Sequence, residues 1–318
     1  MCLTASVALA LAGCGGGGGT DFASIPPPPV APTPSPTPTP SPPPAPPPIP
    51  AGPIGLQSDA PFATQGAFSN LAGALVSGAN NVQFSYSAST DTYTITLPEF
   101  KTGQLITLGG NGSYVDSSAW QHLTSTYNAV SDGPLTPPAT TTQPVGVNLQ
   151  WPADSQLTYT GTGSWQEEDF VGGGTAGRYG VFAYGIPTAA SDMPLTGAAT
   201  YNGSVSGMTN TGTFVDGSVF LSFDFGAGTL SGSMAPELVP WDAIALGTYT
   251  FENTVYSPGS TSFSGTFNVP GVSGPSSFNG NFNGPQAVEF MGSWNAPYAV
   301  PGGAESGTMA GIWTGKKN

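Results

Sequence analysis

Between Thr196 and Thr314 apolar residues recur at every second position, and along several runs phenylalanine alternates with glycine on the apolar face. Phe263, Gly265 and Phe267 oppose Ser262, Ser264 and Thr266, and Phe278, Gly280 and Phe282 oppose Ser277, Asn279 and Asn281. Val219, Leu221, Phe223 and Phe225 oppose Phe220, Ser222 and Asp224; Val288, Phe290, Gly292 and Trp294 oppose Glu289, Met291, Ser293 and Asn295. A period of two is that of a strand with one buried face. Eight alternating runs, at 197–207, 218–225, 229–234, 247–253, 261–269, 276–283, 287–295 and 306–314, are separated by Gly, Pro, Asn or Asp. Eight antiparallel strands in sequence order predict an all-β, up-and-down barrel, whose closure leaves no exposed sheet edge. An open sandwich is the alternative.

The composition of the apolar face decides where such a barrel lives. Large and small side chains in alternation suit a narrow, filled interior. A lipid-facing band has no use for glycine and carries aromatic girdles at its edges. A soluble barrel is therefore expected, with a transmembrane barrel as the competing reading. On this pattern Phe290 points inward, where a charge would be buried unpaired. Glu289 points outward, where truncation should be mild.

The region 56–187 is β-rich but less regular. The segments 82–86 and 93–97 read as a hairpin, and further strands are expected at 103–108, 157–165 and 178–184. The segment 68–75 is expected to form a short helix, limited by Gly66, Gly73 and Gly78.

Near the N-terminus, Leu11-Ala12-Gly13-Cys14 closes a short apolar run. The run is too short to span a bilayer, which takes about 20 residues. It resembles a bacterial lipobox, although no Lys or Arg precedes it. The resemblance implies removal of residues 1–13 as a signal peptide and lipidation of Cys14. Cys2 is then lost, and no disulfide contributes to the fold. Residues 14–55 form an expected linker, with five glycines followed by 16 prolines between Pro26 and Pro50. Such a run favours extended polyproline II, which reaches about 75 Å at roughly 3.1 Å per residue. Gly15 stands where an inner-membrane retention signal would place Asp, so the resemblance to bacterial lipoproteins implies the outer membrane, with the cell surface as the expected location.

Charge excludes whole classes of partner. The chain holds 4 Lys and Arg against 18 Asp and Glu, a net charge of −14. Nucleic acid needs clustered cations, so it is excluded, and so is electrostatic docking to anionic lipid. Nothing points to catalysis. His122 is the one histidine, and no Gly-x-Ser-x-Gly elbow accompanies it. Glu167-Glu168-Asp169 lacks the spaced oxygen ligands of a calcium loop and reads as a solvated loop. No catalytic residue, metal site or cofactor is expected; a haem would need an axial ligand such as His122, Met or Tyr. Trp241, Tyr256 and Tyr298 lie between predicted strands and are candidate ligand-binding aromatics. They serve equally well as plugs in the barrel mouths.

Gly197-Ala198-Ala199-Thr200-Tyr201-Asn202-Gly203-Ser204-Val205-Ser206-Gly207 resembles the first barrel strand of the transferrin-binding protein B family. Asp224-Phe225-Gly226-Ala227-Gly228-Thr229-Leu230-Ser231-Gly232 is similar to its second hairpin. The segment from Phe282 through Gly284-Pro285 to Trp294 is similar to its penultimate strand, and Gly311-Ile312-Trp313-Thr314-Gly315-Lys316-Lys317 to its last. The resemblance implies a lipid-anchored surface protein with a barrel at 188–318 and a preceding "handle" domain at 56–187. It implies binding of an extracellular protein or solute by a monomer, in iron or haem acquisition. The family's name protein carries two such lobes, whereas this chain has room for one. A structural or adhesive surface module without a small ligand is the alternative. Mass spectrometry of the mature N-terminus is expected to find acylated Cys14 and no residue before it; an unmodified Cys14 or a retained Met1 would overturn this assignment.

Overall fold

The computed structural model describes residues 60–70, 73–87, 89, 92–98, 103–105, 121–129, 143–150, 156–167, 178–239, 242–303 and 305–318. The expected lipobox and linker, Trp241, and Glu168 and Asp169 lie outside them. The structure is almost entirely antiparallel β. Ten strands precede the barrel: β1 (Ala60–Pro61), β2 (Ala63–Ser69), β3 (Leu75–Ala79), β4 (Gln83–Ser87), β5 (Thr92–Thr96), β6 (Gly103–Leu105), β7 (Gln121–Ala129), β8 (Gln143–Gln150), β9 (Thr160–Glu167) and β10 (Tyr179–Gly185). They form a four-stranded sheet, β1-β4-β5-β6, and a six-stranded sheet, β3-β2-β10-β9-β8-β7. The expected hairpin is β4–β5, with Phe84 opposite Ile95.

The short helix expected at 68–75 does not form. Phe68 and Ser69 end β2 and Leu75 opens β3, so the segment is a hairpin with Phe68 opposite Val76. Asn70 closes it, its Oδ1 accepting from the Ala74 N–H at 2.9 Å, while Gly73 supplies the left-handed φ of +77°. Tertiary packing decides against the helix. Alternation in β2 sends Phe68 towards Trp165, at 6.3 Å between ring centroids, and Ala67 to the opposite face.

The barrel is built from eight strands in chain order: β11 (Ala198–Thr209), β12 (Phe214–Asp224), β13 (Thr229–Leu238), β15 (Tyr249–Val255), β16 (Ser262–Asn268), β17 (Ser277–Asn283), β18 (Glu289–Ala299) and β19 (Ser306–Lys317). The short β14 (Ile244–Ala245) pairs with the end of β13. Each barrel strand pairs with the next, and β19 returns to β11 with Val205 opposite Trp313, which closes the ring. All eight alternating runs read from the sequence are strands.

The interior is filled by aromatic rings seated on glycines. A Cβ on Gly265 would land on the ring of Phe278, one on Gly280 on Phe263, one on Gly292 on the indole of Trp313, and one on Gly315 on Phe290. Tyr201, Phe223, Phe225, Tyr256, Phe263, Phe282 and Phe290 make one aromatic cluster, with Phe223 and Phe282 centroids 4.9 Å apart. Tyr249, Phe251, Phe267, Phe278 and Trp313 make another, with Phe251 and Phe278 at 4.5 Å. Each such ring contributes roughly 1.5–3 kcal/mol by burial. On the outer wall Asn202, Ser204, Ser206, Ser218 and Ser231 are exposed, unlike a lipid-facing band. Among the described residues, no helix is long and apolar enough to cross a membrane.

One expectation about this wall is overturned. Glu289, Met291 and Ser293 do point away from the barrel interior, yet they are 4%, 0% and 0% exposed. The six-stranded sheet covers them. Truncating Glu289 is therefore not the mild change expected of a surface residue.

Gly292→Val is expected to destabilise the chain by about 1–3 kcal/mol or more, since its methyls have no space beside Trp313. Ser231→Ala, on the exposed wall, should stay within about 0.5 kcal/mol. Urea unfolding followed by tryptophan fluorescence measures both, and equal effects would refute the ring-on-glycine account.

Candidate functional site

Strand alternation generates the site at the seam between the six-stranded sheet and the barrel. In β17 it places Phe278, Gly280 and Phe282 inside and Asn279, Asn281 and Asn283 outside. In β2, β9 and β10 it places Gln65, Ala67, Thr160, Thr162, Ser164, Val181 and Ala183 on the face that meets the barrel, since residues opposite one another share a face. The other face carries Phe182 and Tyr184, which pack with Phe62 and Phe84 of the preceding segments. Small side chains towards the barrel allow a close approach. Ala67, Val181 and Ala183 meet Met208, Met291, Ala310 and Ile312 in an apolar strip.

A polar network borders that strip. Ser293 Oγ donates to Gln65 Oε1 at 2.9 Å, and Gln65 Nε2 donates to Asn281 Oδ1 at 3.1 Å. Asn281 Nδ2 continues to Asn283 Oδ1, and Asn283 Nδ2 to Thr160 Oγ1, both at 2.9 Å. Asn279 Nδ2 donates to Ser293 Oγ at 3.2 Å. Such chains hold every amide in one orientation, and breaking one link leaves buried groups unpaired. Farther along the seam, the Glu289 carboxylate accepts the backbone N–H groups of Thr158 at 2.6 Å and Tyr159 at 2.9 Å. Burial pushes its pKa up, and the N–H donors pull it only part of the way back.

Among the described residues, two clefts on the seam open outside the barrel. The larger, about 630 Å³, lies between the β2–β3 hairpin and the wall made by β16, β17 and the loop after β15. Its lining includes Gln65, Asn80, Ser262, Ser264, Asn279 and Asn281. The smaller, about 320 Å³, lies between β9–β10 and the β11–β12 wall, and contains Tyr179 and Asp216. Burial raises the Asp216 pKa, with Glu237 directly opposite on β13 adding to it. Burial likewise raises that of Tyr179, against a hydrogen bond from Ser164.

The residues singled out from sequence are not gathered in either cleft. Tyr256, 8% exposed, belongs to the barrel's aromatic cluster, 5.2 Å from the Phe223 centroid, and borders the larger cleft. Tyr298 is buried, and its hydroxyl donates to Glu305, which also accepts from Thr211 Oγ1 at 2.9 Å. His122 lies on β7 opposite Asn148. The amide row of β17 was legible as three asparagines at two-residue spacing in Asn279-Gly280-Asn281-Phe282-Asn283. Its partners, Gln65 and Thr160, lie more than a hundred residues away.

No protein-family model matches the chain, and no curated protein matches it. Among solved structures, it is similar to a transferrin-binding protein B double mutant from Haemophilus parasuis. That match has 16% identity and a TM-score of 0.45, over 80% of this chain and 44% of the other. It is similar to a surface lipoprotein at 13% identity and a TM-score of 0.35, over 81% of this chain and 98% of that one. A kievitone hydratase from Nectria haematococca matches at 10% identity and a TM-score of 0.26, over 82% and 89% of the two chains. The chain thus spans less than half the length of the transferrin-binding protein B structure.

Glu289→Ala is expected to cost about 1–3 kcal/mol for each of the two N–H groups left without an acceptor. The pH dependence has a definite sign. A carboxyl raised in the folded state contributes fully below its ordinary pKa, and its contribution is lost as pH rises through the folded value. The stability difference between wild type and Glu289→Gln should therefore shift against wild type from pH 4 upward. Parallel urea-unfolding profiles of the two proteins would refute the assignment.

Proposed function

We propose that this chain is a lipid-anchored bacterial lipoprotein of the cell surface, which captures an extracellular protein or solute without acting chemically upon it. Residues 56–187 and 188–318 serve as handle and barrel, and together they present the binding surface. The observation that carries this reading is the hydrogen-bonding seam cleft outside a barrel filled by its own aromatic rings. A ligand meeting that surface encounters amides and hydroxyls, whose chemistry is recognition rather than bond making. An acylated Cys14 followed by a proline-rich spacer would hold this surface clear of the membrane. Iron or haem acquisition is the role implied by the family resemblance. A structural or adhesive role is favoured instead by Phe214 and Phe220, 52% and 41% exposed on the outer wall of β12.

The purified mature protein, used as bait in serum, haemoprotein, haem and spent-medium mixtures, is expected to retain one defined partner. Deletion of its gene should slow growth under iron or solute limitation. Retention of nothing, with a deletion that alters only adhesion or envelope integrity, would replace capture with the structural role.

A further inference from the structure

We infer that the larger seam cleft is a binding site for an uncharged saccharide. This deepens the capture reading above and rests on it. Four features of the cleft converge.

The first is charge. Among its described lining residues there is no Asp, Glu, Lys, Arg or His. A cationic ligand finds no carboxylate there, and an anionic one is repelled by a chain of net charge −14. The second is the state of the amides. Asn279 and Asn281 are half-buried and fixed from behind by Ser293, Gln65 and Asn283. A side-chain amide has two donor protons and two acceptor lone pairs. These bonds leave each amide with further donor and acceptor capacity, already oriented and half open to solvent. A pyranose carries hydroxyls on neighbouring carbons that donate and accept at once, which suits a fixed amide pair. Preorganisation also lowers the entropic cost of binding.

The third feature is a row of hydroxyls. Ser262 and Ser264 alternate with the inward Phe263 on β16, and Ser260 stands just before them. The fourth is an apolar ledge. The β15–β16 register shifts between Glu252 and Val255, and Asn253 takes a left-handed φ of +45°. Bulges of this kind re-aim side chains. Val255 lines the cleft while 62% exposed. A sugar ring has one edge of hydroxyls and one face of C–H groups, and the cleft offers a counterpart to each. Its volume of about 630 Å³ lies within the range of roughly 300–1,000 Å³ usual for small-molecule sites.

The test is calorimetric titration of the full mature chain with maltohexaose, cellohexaose, mannohexaose and N-acetylchitohexaose. Hexagalacturonate and chitosan hexamer serve as anionic and cationic counterparts. At least one neutral hexasaccharide is expected to bind saturably, with the charged ones about tenfold or more weaker. Asn281→Ala should weaken binding by about tenfold or more. Because Asn281 also belongs to the seam network, Ser262→Trp, at an exposed position, provides a second variant; it should block the cleft while leaving the melting temperature unchanged. Absence of binding by every neutral probe at about 10 mM, preference for a charged probe, or binding untouched by Ser262→Trp would overturn the proposal. A partner retained in the bait experiment without saccharide binding leaves the capture reading standing and removes this one. Saccharide binding with an empty bait experiment makes a saccharide the captured solute and removes only a protein partner.

Discussion

The seating of aromatic rings on glycines is the constraint from which the rest of the barrel follows. A narrow eight-stranded ring leaves room for side chains only where large and small groups interlock. Here the small partner is the backbone itself: Gly292 lies under the Trp313 indole, Gly265 under Phe278 and Gly315 under Phe290. Because rings of one strand rest on glycines of its neighbours, the contacts specify register as well as burial. A slip by one residue would put Ser and Asn inside and Phe outside. The register is also what places Asn279, Asn281 and Asn283 in one outward row.

That outward row is covered where the six-stranded sheet lies on it. Close approach needs small residues on the sheet, and Ala67, Val181 and Ala183 supply them. Beside this apolar strip the seam is held by amides, hydroxyls and one buried carboxylate, none of which tolerates a missing partner. The seam thus combines a non-directional contact that holds the sheet down with directional ones that define its position. The larger cleft is walled in part by this network, through Gln65, Asn279 and Asn281.

A filled barrel leaves no room for a ligand inside it. With the interior occupied by Phe, Tyr and Trp, the groups open to a ligand are those at the seam and on the exposed wall. The larger cleft combines fixed amides and hydroxyls from β2, β16 and β17 with an apolar residue turned outward by a bulge. Gln65 of β2 and Asn80, just after β3, complete this lining.

The sequence by itself determined the strands of the barrel, their order and which face of each turns inward. Alternation is a local property, and phenylalanine alternating with glycine marks a face that packs; closure against an open sandwich was decided by the β19–β11 pairing. The β4–β5 hairpin was legible from the same alternation. The fate of the outward face was decided only by tertiary structure. Glu289, Met291 and Ser293 read as solvent-facing because nothing within β18 reports that another sheet will cover them. The segment 68–75 has local features of a helix, but pairing of β2 with β3 places Phe68 and Ala67 on opposite faces of a sheet. Tyr256 and Tyr298 stood between strands in sequence, yet packing drew both rings into the barrel's buried interior. Gln65, Thr160 and Asn281 meet only because β2, β9 and β17 converge. Periodicity carries the direction in which a side chain points, whereas what it meets depends on contacts between segments far apart in the chain.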